Sequence, residues 1–445
     1  MVTRYVAGGM MWKAGLLLGI AVMAPARASD VEALCKAGEE SLKLGHFDAA
    51  IARFTEALEQ DPRCLQAYFG RARAYAEKGD FEKAICDYSE VLRLNPRHGE
   101  ARVRRGGAYI AKGEADKAVV DLTEAIRDRP TASAYGNRAV AYMALNRLDS
   151  ALTDCNEAIR LDPGDALYYV NRAWIFMRRA EYEAAIADLK RCLELDPKCE
   201  KGYFGLGWAY FGKRELVRAR DAFSQLVRIS PRHAEGWYAL GQVHMACGEP
   251  AKAEADFAKA IEAKPGFTRA RFWRGAALAA QGLYEAAEKE FARTVQEEPM
   301  HAEARLWRAH CYIAVGRCEE ALLELDRAIA QRPTWGEAYY QRGAALRKLG
   351  RLQEALADFA RTLQLEPTHV AAHVARAEVL LASGHPRQAL EAINAAIRLD
   401  DTRAVLYEHR AAIHHALGQE DSATKDLQEA EKRRNSISRP HISVR

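Results

Sequence analysis

Between residues 65 and 96 the chain reads LQAYFGRARAYAEKGDFEKAICDYSEVLRLNP, and its apolar residues fall into two helical patterns. Tyr68, Ala72 and Tyr75 recur at spacings of four and three; Phe81, Ala84, Ile85, Tyr88, Val91 and Leu92 then trace one face of a second helix. Gly79 stands between the two patterns and can take the positive φ that ends a helix. Pro96 stops the second helix, because it lacks an amide proton and clashes with the preceding turn. The stretch predicts a helical hairpin.

The hairpin recurs along the chain. Prolines fall at Pro62, Pro96, Pro130, Pro163, Pro197, Pro231, Pro265, Pro299, Pro333 and Pro367, every interval being 34 except one of 33, where the loop after Pro130 has lost a residue. The turn residues keep the same period: Gly45, Gly79, Gly113, Asn146, Ala180, Arg214, Gly248, Gly282, Gly316, Gly350, Gly384 and Gly418. An alanine early in each second helix, from Ala50 and Ala84 to Ala389 and Ala423, lets paired helices approach closely. Pro250 and Pro386 fall just inside second helices, where a missing N–H is tolerated. A fixed period of this size marks a repeat array, so the roughly three domains suggested by 445 residues give way to one stack of twelve repeats over about 29–435. Positions are counted below so that the recurrent proline is position 32.

The pattern W-x2-L-G-x2-Y, then A-x3-F, then P stands nearly intact as Tyr203, Leu206, Gly207, Tyr210, Ala219, Phe223 and Pro231. It returns as Trp237, Leu240, Gly241, Ala253, Phe257 and Pro265, with His244 at the Tyr slot. The chain therefore resembles tetratricopeptide repeat proteins over nearly all its length, departing in the last two repeats, where Asp401 and Asn435 replace the proline. The resemblance implies an all-α fold, an α-solenoid superhelix of helix-turn-helix repeats with first helices on its concave face. It also implies that an extended peptide or a partner helix binds in that groove. A polar final helix near Asp421 to Arg434 is expected to cap the stack.

Charge refines this picture. Sixty-five Lys and Arg against 61 Asp and Glu leave too little excess for a nucleic-acid binder. Position 7 holds Arg71, Arg105, Arg138, Arg172, Arg274, Arg308, Arg342 and Arg410; position 23 of the same repeats holds Asp87, Asp121, Asp154, Asp188, Glu290, Glu324, Asp358 and Asp426. Both positions lie eight residues from the hairpin turn, so the two charges face each other and are expected to pair as a ladder fixing helix register. In the repeat carrying Leu206, position 23 is Ala222 and the charge and its partner vanish together.

At the N-terminus, Arg4 and Lys13 precede the apolar run Ala14 to Met23 and the small residues Ala24-Pro25-Ala26-Arg27-Ala28. This is the order of a signal peptide over 1–28, cleaved after Ala28, with an uncleaved N-terminal membrane anchor as the alternative. Processing would leave 62 basic against 61 acidic residues in an exported chain, periplasmic or secreted, with no stable membrane insertion. Residues 436–445 form a basic C-terminal tail. Export permits disulfides, and Cys35 with Cys64, or Cys311 with Cys318, are candidate pairs, whereas Cys155 and Cys192 occupy core positions.

No phosphate loop, dinucleotide fingerprint, H-E-x-x-H or nucleophile elbow is present, so neither an enzyme nor a cofactor is expected. His98, His233, His301 and His369 recur at one loop position of separate repeats, which spreads them along the stack instead of gathering them around a metal. Positions 5, 9 and 12 of first helices should face the groove. In the middle repeats they read Val170, Trp174 and Met177; Phe204, Trp208 and Phe211; Tyr238, Gln242 and Met245; and Phe272. Aromatic and Met side chains bury large area at small entropic cost, so this stripe is the expected binding surface of a protein-interaction scaffold. The competing readings are a holdase-like chaperone for exported proteins and a regulatory subunit of an enzyme complex.

Overall fold

A computed structural model describes residues 25–437, with side chains over 29–435. The apolar run Ala14 to Met23 and the tail beyond 437 lie outside the described residues; the expected cleavage point after Ala28 falls in the first turn of the first helix. The described residues form 24 helices and no strand, numbered in chain order from α1 (Pro25–Lys43) to α24 (Glu420–Ile437). They divide into two compact bodies, the first ending at Gly212 with α11 (Glu200–Gly212) and the second starting at Lys213 and its helix α12 (Leu216–Ile229).

Apart from the terminal helices α1 (19 residues) and α24 (18 residues), first helices have 13 residues and second helices 14, as in α3 (Leu65–Glu77) and α4 (Phe81–Leu94). The turn between them is built as the sequence predicts. All twelve turn residues have positive φ, including the non-glycines Asn146, Ala180 and Arg214 at 58–61°. At Gly79 the amide bonds to Ala76 O (3.0 Å) and the next amide, of Asp80, reaches back to Tyr75 O (2.9 Å), which satisfies the orphan carbonyls of α3. Pro250 and Pro386 open α14 (Pro250–Ala263) and α22 (Pro386–Leu399).

Within each body, the core of a repeat sits where its first helix, its second helix and the next first helix meet, as α1, α2 (Phe47–Gln60) and α3 do around Phe54. Position 24 supplies the plug: Phe54, Tyr88, Phe223, Phe257, Phe291 and Phe359 are all fully buried. Position 8 is Gly or Ala, which opens the space for it. A Cβ on Gly275 would lie 2.8 Å from the Phe291 ring, so even alanine would press on it there. In the last repeat position 24 is Leu427, 54% exposed, because among the described residues no further helix covers it.

The charge ladder forms in all eight repeats. Arg71, Arg105, Arg138, Arg172, Arg342 and Arg410 grip their aspartates through two nitrogens, as in Arg172 Nε–Asp188 Oδ2 and Nη2–Oδ1, both 2.7 Å. The third nitrogen of each reaches the preceding second helix, at Thr55, Ser89, Thr123, Asn156, Asp326 and Asn394, so one guanidinium ties three helices together. Where position 23 is glutamate the grip changes. Arg274 and Arg308 stand 3.4 and 3.3 Å from Glu290 and Glu324 and bond instead, at 2.7 Å, to Glu254 and Glu288 of the preceding repeat. In the Asp256 repeat, which lacks the arginine, buried His244 takes its place, with Nδ1 2.6 Å from the carboxylate.

A second device closes the junction between repeats. The side chain at position 4 donates to the carbonyl of the proline six residues earlier: Arg102 to Pro96 (2.7 Å), Trp237 to Pro231 (2.9 Å), Arg271 to Pro265 and Arg305 to Pro299 (both 3.0 Å). Tyr169, Tyr339 and His373 do the same with longer bonds.

Candidate functional site: the first-helix surface

First helices touch one another along much of each body, as α7 (Ala132–Ala144) and α9 (Ala166–Arg178) do, and so present a shared face. The face of the first body carries a ladder of rings. Trp174 on α9 meets Phe204 on α11 at 6.3 Å between centroids. Phe204 meets Trp208 edge-on at 6.2 Å, and Trp208 meets Phe211 edge-on at 5.5 Å. These four rings, like Met177, are half-buried, whereas Val170 is 2% exposed and belongs to the core. Spacings of four and three along α11 put Phe204, Trp208 and Phe211 on one side of the helix.

In the second body the expected stripe residues are held differently. Tyr238 lies between Phe257 (5.8 Å) and Phe267 (5.3 Å), and Phe272 between Phe291 (5.6 Å) and His301 (5.0 Å, stacked). Burial raises the Tyr238 phenol above its usual range, and Gln242 donates to its oxygen at 3.0 Å. Met245 packs on the Ala253–Phe257–Ala277 cluster. The exposed ring of this face is one the position 5, 9 and 12 reading passed over: Trp307, at position 6, is 37% exposed, stacked on Phe291 and edge-on to His310. Trp273, one period earlier, is the signal that marks position 6 as aromatic here.

Tyr238 and Phe272 exemplify a triad: a ring at position 5, the plug at position 24 and the residue that caps the next first helix. Phe69, Tyr88 and His98 form it in repeat 2, and Tyr340, Phe359 and His369 in repeat 10. The recurrent loop histidines acquire their role here. Nδ1 of His98, His233, His301 and His369 accepts an amide of the following first turn at 2.9–3.2 Å, capping the helix while the ring packs. In repeat 1 the outer members are Cys35 and Cys64, with Sγ atoms 3.7 Å apart. Cys311 and Cys318 are both buried as free thiols. Among the described residues no group of three or more His, Cys, Asp and Glu side chains gathers as a metal site, and no helix is long and apolar enough to cross a membrane.

Repeat 3 leaves the triad unfilled. Its members are Val103, Leu122 and Thr131, none with a ring, and the loop before Thr131 is the one that has lost a residue. A cavity of about 920 Å³ opens there, lined by Val103, Ala125, Arg97, Arg104, Arg129 and Asn137 among others.

Models of families described as tetratricopeptide repeat match residues 35–90, 78–125, 170–234 and 238–298, a second such model matches 278–345, and a third matches 132–165 and 336–369. No curated protein matches the chain. Among solved structures, the APC/C hetero-tetramer Cut9-Hcn1 is similar over 93% of this chain and 95% of that one, at 16% identity and TM-score 0.47. YrrB, "a TPR protein with an unusual peptide-binding site", is 31% identical over 41% of this chain and 95% of its own, TM-score 0.38. A repeat protein from Parabacteroides merdae is 18% identical over 56% of this chain and 98% of its own, TM-score 0.44.

Proposed function

The chain belongs to the tetratricopeptide repeat family, and on that premise we propose that it is a non-catalytic scaffold that holds a peptide or helix of an exported partner protein on its first-helix face. The observation that carries this reading is the ladder Trp174–Phe204–Trp208–Phe211. Ring-to-ring contacts, tilted at Trp174 and edge-on along α11, hold each ring, so little side-chain entropy remains to be lost when a partner covers the part of each ring left open. Large, rigid, partly exposed aromatics are the residues around which binding energy concentrates. The order of charges and apolar residues over 1–28 supports export, and the partner is therefore sought in the exported fraction.

The test is a crosslinking pull-down with the full chain, followed by quantitative binding of the recovered partner. The double variant Phe204→Ala, Trp208→Ala should lose at least about tenfold in affinity, or 1.4 kcal/mol, with far-ultraviolet circular dichroism unchanged. Equal affinity in the double variant would move the site off this ladder.

A further inference from the structure

The cavity of repeat 3 has the lining of a ligand site. Its floor is Val103 and Ala125, and its walls carry the guanidinium groups of Arg97, Arg104 and Arg129, the Asn137 amide and the hydroxyls of Thr131 and Ser133. The two acids that also line it are already neutralised by the protein: Glu100 accepts from Arg104 Nε at 2.9 Å, and Asp128 from Arg102 Nη1 at 2.6 Å. Among the described residues, the guanidinium groups of Arg97 and Arg129 have no acidic partner, and the side chain of Asn137 has no hydrogen-bond partner. The first turns of α5 (Gly99–Ala111) and α7 both open on the cavity through Gly99, Glu100 and Ser133. Their caps, His98 and Thr131, each take one amide, leaving further N–H donors at the rim.

From this arrangement we propose that the cavity binds a small organic anion, one carrying carboxylate or phosphate-ester groups on a short apolar body. Two uncommitted guanidinium groups give the planar paired donors that such oxygens accept, and the helix N-termini add to the positive potential. The volume lies in the range of small-molecule sites, about 300–1,000 Å³. In repeats 2, 7, 8 and 10 a complete triad fills the corresponding space. In repeat 4, where position 5 is Gly136, the Tyr168 ring fills it from the next repeat. The site thus arises where the stack omits its usual filling and leaves unpaired cations around the gap.

Titration calorimetry on the full chain, with citrate and glycerol 3-phosphate as separate probes, tests the proposal and distinguishes the two anion chemistries. Saturable binding of either probe is expected, weakened at least about tenfold by Arg97→Ala with Arg129→Ala. The decisive variant is Val103→Phe, which refills the triad without changing any charge: it should abolish binding while thermal stability is kept or raised. Arg63→Ala removes the equivalent loop arginine of repeat 1 and should leave binding intact. Unchanged affinity in Val103→Phe would reduce the effect to surface charge and overturn the site, as would absence of binding by both probes to the unaltered chain. The outcome does not depend on Phe204 or Trp208, so it stands or falls separately from the aromatic ladder.

Discussion

At the scale of single residues, the arginine–aspartate pairs test what a buried charge does for a repeat. Asp121 is 6% exposed and is gripped by Arg105 through two bonds of 2.7 Å, while Nη1 of the same arginine donates to Ser89 of the preceding repeat at 3.0 Å. Taking two charges out of water largely offsets their attraction, so the pair as a whole adds little stability, but removing one member leaves the other buried and uncompensated. Arg105→Ala should therefore destabilise by about 3 kcal/mol, whereas Arg105→Leu with Asp121→Ala should recover most of that loss. Repeat 6 carries this apolar combination naturally, as Leu206 and Ala222. Urea midpoints of the two variants check the expectation, and a single variant as stable as the double would refute it. Recovery in the double variant would mark the ladder as a device of helix register.

At the scale of the helical hairpin, one locus is built in several ways, among them rings in repeats 2, 7, 8 and 10, thiols in repeat 1, and a gap in repeat 3. The thiol version implies redox behaviour. Burial first, then the neighbouring Cys64, pushes the Cys35 thiol up to about 12, so the half-buried Cys64 is the one positioned to react with an external disulfide. With oxidised glutathione, Cys64 should form a mixed disulfide that Cys35 resolves, releasing two glutathione thiols and leaving Cys35–Cys64 bonded. Peptide mapping should find the crosslink in the unaltered chain and only the mixed disulfide in Cys35→Ser; the closed loop should add about 3 kcal/mol. No crosslink after prolonged oxidation would rule the pair out. The helices, turns and ladder were legible in the sequence because each depends on one period and on residues at fixed offsets within a hairpin. The gap at Val103 was not, since it exists only where three elements meet and is defined by what each fails to contribute. The position 4 latch was hidden for another reason: its acceptor is a backbone carbonyl, which has no letter. Tyr238 and Phe272 stand at groove positions in the sequence, yet Phe257 with Phe267 and Phe291 with His301 take up much of their surface.

At the scale of the whole molecule, a stack in which each repeat touches only its neighbours has no single stability, and different stretches can respond differently to one condition. The histidines provide such a difference. His46 and His98 lie in the first body, while ten others are among the described residues of the second. Three of these, His310, His373 and His409, are held neutral: burial is the leading cause that lowers each below the usual imidazole value. Unfolding exposes them to water, where they bind protons near pH 6.5. The unfolded state therefore binds more protons between the lowered values and about 6.5, and the stability they confer is complete above that range and lost as pH falls through it. Asp256 acts in the opposite sense, since burial raises its carboxyl against the pull of His244, so its contribution falls as pH rises through the raised value. With three groups against one, acidification from pH 7.5 to 5.5 should weaken the second body more than the first. Hydrogen exchange at the two pH values, corrected for intrinsic rates, should show protection lost preferentially in α17 (Ala302–Ala314), α21 (Val370–Ala382) and α23 (Ala404–Ala416), which carry the three histidines. Equal loss in both bodies, or the same loss after all three are replaced by glutamine, would show that these side chains do not set the acid limit of the stack.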